Sequence, residues 1–389
     1  MIKLEKKMYD SIKDKYVRNI TEQIKENYNK QKKKISDKKY FDQIQVKDFV
    51  ETSGEFDDEK IRKLLLLDFS EINNSYFKNY LEIAYICYDN EKKEKILTEI
   101  KKDETLIRRE DYCKKIIDYF NNDWVKNFLL KDNVCYKDEK KAKSRISEIK
   151  EVYIILRDKV KKEFDEFNEE IKKLIDYKLI KSDLRHEIIV SSNISICPYC
   201  NRQYISNYKK NKKTKKTTAD LDHFYPKSIF QLFSLSLYNF TPACQICNRY
   251  FKGKNIKKIL YPFEKEFGID AKFGINVYDM DACYGLSDHF DIDIDINDES
   301  SNKEEIINSI DVFNLESIYQ NHKTYVQEIL QKKELIYTDT YLEMMNNTFN
   351  ELNFTKEQID TFYYGFNIND DINKDTKQLG KLTRDIFEK

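Results

Sequence analysis

From Arg145 to Lys181 the apolar residues Ile146, Ile149, Val152, Leu156, Val160, Phe164, Phe167, Ile171 and Leu174 recur every three or four positions. That spacing predicts a long helix with one buried stripe, either packed on neighbouring helices or seamed as a coiled coil. "RKLLLLDFSEINNSYFKNYLEIAYICY" and "DWVKNFLL" predict further buried helices upstream, and residues 1–196 hold no proline and only Gly54. All four prolines (Pro198, Pro226, Pro242, Pro262) fall between 198 and 262, so the helical pattern stops there. Beyond 262 "HFDIDIDIND" alternates strictly, placing Ile292, Ile294 and Ile296 on one face of a strand and Asp291, Asp293 and Asp295 on the solvated other. Helical spacing returns over 313–350 through Leu315, Ile318, Tyr319, His322, Val326, Ile329 and Leu330. The expected architecture is mainly α with a small central α+β domain: a helical region over 1–190, a central domain over 191–262, and a mostly helical α+β region over 263–389.

Composition makes this a globular chain, since 40% apolar and 14% aromatic residues can fill cores despite 35% charged residues. No apolar run approaches a membrane span, and the start "MIKLEKKMYDSIKDKYV" has no apolar signal block, so the expected location is cytoplasmic, without membrane attachment. A reducing compartment favours metal binding over disulfides for close cysteine pairs. Cys87, Cys113, Cys135 and Cys283 stand apart and read as small buried hydrophobes.

Charge changes the picture in the middle of the chain. Total charge is zero, yet residues 197–258 carry 13 Arg and Lys against 2 Asp and Glu. This local polycation is the footprint of a site that meets phosphates, which makes nucleic acid the expected partner.

Within it, "CPYC" (Cys197, Cys200) is answered by "CQIC" (Cys244, Cys247). Each C-x-x-C can turn two thiolates on one ion, and four thiolates make the closed tetrahedral site of structural zinc, with no position left open for substrate. Between the knuckles lies "DLDHFYPKS", where a strand would put Asp220 and Asp222 on one face and His223 on the other. "NRYFKGKNIKK" then starts a short helix carrying Asn248. An aspartate and an asparagine suit a hard cation, while a nearby histidine can accept a proton.

These strings together resemble the HNH nucleases, most closely the zinc-knuckle group that includes the HNH component of Septu anti-phage systems. The D-x-D-H-x-x-P-x-S string and the asparagine spacing are also similar to the HNH domain of CRISPR effector nucleases. The resemblance covers about residues 195–260. It implies a ββα-metal fold, with His223 as general base, Asp222 and Asn248 holding Mg²⁺ or Mn²⁺, and Asn239 orienting the histidine. Asn248 stands where many members have histidine, which favours a hard metal. Phosphate contacts are expected from Lys227, Arg249 and Lys252, and from the run Lys209, Lys210, Lys212, Lys213, Lys215 and Lys216.

The expected activity is therefore hydrolysis of phosphodiester bonds, in double-stranded DNA, with a role in anti-phage defence implied by the resemblance alone. A partner ATPase or sensor and self-association would fit such a role, since a nuclease of broad specificity needs restraint and the chain has no P-loop. Two alternatives stay open: a toxin-like nuclease cutting RNA or tRNA, and a zinc-stabilised module that binds nucleic acid without cutting it.

Overall fold

A computed structural model describes residues 1–70, 72, 75–131, 144–209, 215–336, 339–352, 355, 358, 361–362, 365 and 377–388. The chain is mainly helical, with small two-stranded antiparallel sheets, and divides into two compact units. The first comprises Met1–Ser11, Arg185–Asp222 and Thr241–Lys389; the second comprises Ile12–Leu184 and His223–Phe240. The chain thus passes from one unit to the other directly after Asp222 and returns before Thr241, dividing the residues 191–262 that the sequence groups together.

The second unit is built on α1 (Asp10–Gln31), α2 (Asp58–Leu65), α3 (Ser75–Tyr88), α4 (Asn90–Lys102), α5 (Arg109–Phe120), α6 (Asp123–Lys131) and α7 (Arg145–Lys172). Asp57 and Asp89 cap α2 and α4 by accepting two backbone N–H groups each, so these helices start where an aspartate precedes the periodic run. The stripe of α7 is buried from Ile149 to Ile171 against α3, α4, α5 and α6, the packed alternative rather than a coiled-coil seam; Ile146, expected in the stripe, is exposed. Trp124 is buried, edge-on to Tyr76. Cys87 is buried and free, whereas Cys113 is disulfide-bonded, contrary to its reading as a lone hydrophobe; sequence spacing cannot reveal a partner brought near by folding. Cys135 lies outside the described residues.

The segment 223–240 is a loop inside this helical unit, and most of it is buried, with Lys227 and Ser228 exposed. A buried loop must find partners for backbone groups that no helix or sheet satisfies. Here side chains supply them. Tyr80 on α3 and Asn168 on α7 hydrogen-bond each other at 2.7 Å; the Asn168 Nδ2 donates to the Ile229 carbonyl and the Tyr80 hydroxyl accepts from the Leu232 N–H. The Tyr16 hydroxyl donates to the Leu235 carbonyl, and the Ser236 hydroxyl to that of Leu64. Tyr80, Phe164, Phe230 and Phe233 pack around these bonds and exclude water.

The first unit holds α8 (Ser182–Ser191) from Arg185 onward and three strand pairs: β3 (Asn207–Lys209) with β4 (Lys215–Thr217), β5 (Ala219–His223) with β6 (Phe240–Cys244) apart from their end residues His223 and Phe240, and β7 (Ala271–Val277) with β8 (Phe290–Ile296). A two-residue pair, β1 (Glu51–Thr52) with β2 (Glu55–Phe56), belongs to the second unit. Helices α9 (Met280–Cys283), α10 (Lys303–Val312), α11 (Leu315–Tyr319), α12 (Lys323–Gln331), α13 (Asp339–Glu351) and α14 (Gly380–Glu388) complete the first unit. Ile292 and Ile294 of β8 face inward as their alternation predicts, while Ile296 is half-buried. Asp291 pairs with Lys323 and Tyr278, and Asp293 with Asn276, so these carboxylates answer protein donors. No described helix is long and apolar enough to cross a membrane.

Candidate metal centre and histidine loop

The two cysteine knuckles meet. The Sγ atoms of Cys197, Cys200, Cys244 and Cys247 all lie within 4.8 Å of one another, all four residues are buried, and theirs is the one such group among the described residues. Local backbone explains the convergence: β6 ends at Cys244, the chain turns at once into Ile246–Lys252, and the Cys247 N–H donates to the Cys244 Sγ at 3.4 Å. The first knuckle turns through Asn201, which adopts the left-handed conformation, donates its own N–H to the Cys197 carbonyl and accepts the Leu379 N–H before α14. Tyr319 of α11 donates its hydroxyl to the Cys200 carbonyl.

The donor set fits a soft-to-borderline divalent ion. Four sulfurs at these separations suit tetrahedral coordination at about 2.3 Å, and they leave no room for a substrate ligand. Burial holds the Cys197 thiol well above its ordinary range, while hydrogen bonds from the neighbouring thiols hold Cys200 well below it. Four buried cysteines so placed can hold a metal such as zinc.

Beside this cluster stands Asp222, at the end of the first unit's share of β5. It is 3% exposed. Its carboxylate accepts the Tyr199 hydroxyl at 2.6 Å, and the Lys252 ammonium lies 3.1 Å from each oxygen. The side chain of Lys252 is 1% exposed, so this residue, expected to touch a phosphate, instead forms a buried ion pair. Burial in the first place, and then Asp222, hold the Tyr199 phenol well above its ordinary range, keeping it a neutral donor.

Asn248 turns its Nδ2 toward Asp220 at 2.9 Å, and among the described residues no hydrogen bond joins it to Asp222. Asp220 also receives Arg249 through Nε at 2.6 Å and a terminal nitrogen at 2.7 Å. Both aspartates of "DLD" are therefore neutralised by cations of the turn that follows β6. That turn is π-helical: the Gly253 N–H reaches the Asn248 carbonyl five residues back, and Gly253 sits at φ +48°, ψ −120°, a conformation open to glycine. Oxygen donors from Asp222 and Asn248 have the right chemistry for Mg²⁺, yet as arranged Asp222 does not fit a metal ligand, because an ammonium and a phenol already occupy both its oxygens.

His223 and Asn239 belong to the second unit. The His223 ring is buried edge-on to Tyr177 at 4.6 Å and to Phe240 at 5.1 Å. Its Nε2 lies 3.1 Å from the Ser234 carbonyl. A carbonyl can only accept, so the proton of the neutral ring sits on Nε2 and the lone pair on Nδ1. Asn239 acts on the loop: its Nδ2 donates to the carbonyls of Tyr225 (3.1 Å) and Phe233 (3.0 Å), and its Oδ1 accepts the Tyr225 N–H (2.8 Å). It thus fixes the residue before Ser234, whose carbonyl holds the imidazole.

Among the remaining cations, Lys227 lies 3.9 Å over the Tyr177 ring, Arg249 is exposed but paired, and Lys216 is exposed on β4. Lys209 and Lys215 lie on paired strands, and Lys210, Lys212 and Lys213 lie outside the described residues. Sequence reasoning passed over Tyr199, Tyr177 and the pairing of Asp220. Only for Asp220 was there a signal, its shared strand face with Asp222.

Comparison with protein-family models, with curated proteins and with solved structures finds no match to this chain.

Proposed function

We propose that the protein is a metal-dependent endonuclease of HNH type that hydrolyses phosphodiester bonds, with DNA duplex as the first substrate to test. The observation that carries this reading is the state of His223: a buried imidazole, its Nε2–H committed to the Ser234 carbonyl, with its basic nitrogen set by that bond. A general base needs this kind of fixed tautomer. In the proposed reaction Nδ1 takes a proton from water, the water oxygen attacks phosphorus, and the bond to the leaving sugar oxygen breaks. Asn239 is a positioning residue in this scheme, acting through the 225–234 backbone. The strand order β5, β6 and then the turn Ile246–Lys252, beside a cysteine cluster suited to zinc, also agrees with the reading.

The resemblance further implies Mg²⁺ or Mn²⁺ held by Asp222 and Asn248, which would supply charge compensation at the phosphate; such an ion would have to displace both the Lys252 ammonium and the Tyr199 hydroxyl from Asp222. The Asp222–Lys252 pair favours a second reading, a zinc-stabilised module that binds nucleic acid without cutting it. A defence role, a regulating ATPase or sensor, and self-association are proposals from the resemblance alone.

One assay separates these readings. Purified protein and its His223→Ala variant are incubated with supercoiled plasmid, single-stranded DNA and RNA, with and without Mg²⁺ or Mn²⁺. The nuclease reading expects metal-dependent cutting that the variant loses while retaining binding; cutting of RNA alone selects the toxin-like alternative. Binding without cutting by the wild type supports the second reading, and undiminished cutting by His223→Ala refutes the assigned base.

A further inference from the structure

Among the described residues eleven tyrosines are buried, yet three tyrosines in the basic segment 197–258 stand out from the surface. Two of them, Tyr204 and Tyr208, are 56% and 50% exposed on the arm that leads into β3. Between them Ile205 is buried, and the even spacing from 204 to 208 puts both rings on the outward side of an extended chain. Neither ring packs on another aromatic, and neither hydroxyl has a hydrogen bond, among the described residues. Contrast Tyr199 and Tyr225 in the same segment, which are built into hydrogen bonds or ring contacts.

Directly opposite Tyr208 in the antiparallel register is Lys216, also exposed. Directly opposed residues share a sheet face with Cβ atoms about 5 Å apart. An aromatic face and an ammonium are thus presented side by side, at a spacing that can meet a base and its own phosphate. Tyr204 follows about 13 Å along the chain, a span of a few nucleotides. The surrounding sequence is strongly cationic, complementary to a polyanion.

We propose that the β3–β4 arm is a stacking platform for single-stranded nucleic acid, with Tyr204 and Tyr208 as base-stacking residues and Lys216 as their phosphate partner. This deepens the nucleic-acid reading above and rests on it. Unpaired bases are the occupant because only they offer a flat π-face; in a duplex those faces are stacked inside, leaving edges and backbone. The platform gives the protein a preference for frayed, gapped or single-stranded regions that the phosphate contacts alone would not confer.

The test measures binding in buffer without magnesium or manganese, in the His223→Ala background, so that cutting plays no part. Fluorescein-labelled oligo(dT), oligo(U), a duplex of equal length and an abasic strand are titrated with this protein, with Tyr204→Ala/Tyr208→Ala, with Tyr204→Phe/Tyr208→Phe, and with Tyr284→Ala as an exposed tyrosine outside the basic segment. The double alanine variant should weaken oligo(dT) or oligo(U) binding by about tenfold per ring while leaving the abasic strand unchanged. The double phenylalanine and Tyr284→Ala variants should bind as the parent does, and zinc content should stay constant throughout. Unchanged affinity in the double alanine variant, an equal loss on the abasic strand, or no binding of any strand by the parent overturns the platform. Whether oligo(dT) or oligo(U) binds tighter assigns DNA or RNA as the source. Absence of cutting in the plasmid assay would remove the nuclease reading and leave this measurement standing.

Discussion

Replacing Asn239 by alanine tests how the histidine loop is held. The substitution removes three side-chain hydrogen bonds, to the carbonyls of Tyr225 and Phe233 and from the Tyr225 N–H, at a residue with no solvent exposure. Each backbone group left unpaired in a buried setting costs about 1–3 kcal/mol, so three groups give about 3–9 kcal/mol, reduced where water enters the space vacated. Even the lower figure is a large share of a typical stability of about 5–15 kcal/mol. The effect should be local first, because the other bonds of the loop, to Tyr80, Asn168 and Tyr16, are untouched. Hydrogen exchange read by mass spectrometry on peptides covering 223–240 is the suitable assay, since a chain of two units need not unfold in a single step. A loss of about 3 kcal/mol corresponds to exchange accelerated by roughly two orders of magnitude in that segment, with α7 peptides changing much less. Protection within threefold of wild type would show that the asparagine is dispensable and that the loop is held by packing alone. Asn239→Asp sharpens the result: it keeps the volume but turns an acceptor toward two carbonyls, and should be no better than alanine.

The remaining predictions concern charge and metal. Cys197→Ser should lower the zinc content read by plasma emission spectroscopy, expected at about one ion per chain in the wild type, and lower the melting temperature, because metal binding free energy is folding free energy; unchanged metal content would refute a tetrathiolate site. Lys252→Met should destabilise by about 3–5 kcal/mol in urea titration by leaving the buried Asp222 carboxylate without its cation, whereas Lys252→Met/Asp222→Asn should recover most of that loss. Equal destabilisation by single and double variants would mean that packing, not charge, is at stake. His322 accepts the Arg202 Nε at 2.8 Å, and burial first, then the guanidinium, pushes its pKa below the ordinary histidine range. The unfolded chain then binds that proton more tightly, so the contribution is full above about pH 6.5 and is lost as the pH falls below it. His322→Gln should flatten the acid side of a melting-temperature profile, and an unaltered profile would count against the assignment.

Much of this molecule is short-range and therefore legible in its sequence. The α7 stripe, the alternation of β8 and the two C-x-x-C knuckles depend on residues within a few positions of one another, where helical and strand periods fix which side chains share a face. Those patterns foretold a mainly helical chain and a four-cysteine cluster. The residue types of "DLDHF" foretold an ionisable site but not its wiring. Tyr199 and Lys252 reach Asp222 across 23 and 30 residues, and Asp220, not Asp222, receives Asn248, because the turn after β6 sets which cation meets which carboxylate. Likewise the passage of 223–240 into the helical unit depends on Tyr80 and Asn168, far away in the chain, filling the hydrogen-bonding needs of a buried loop. Local spacing decides faces; partners that must satisfy buried charge and backbone are chosen only when distant segments pack.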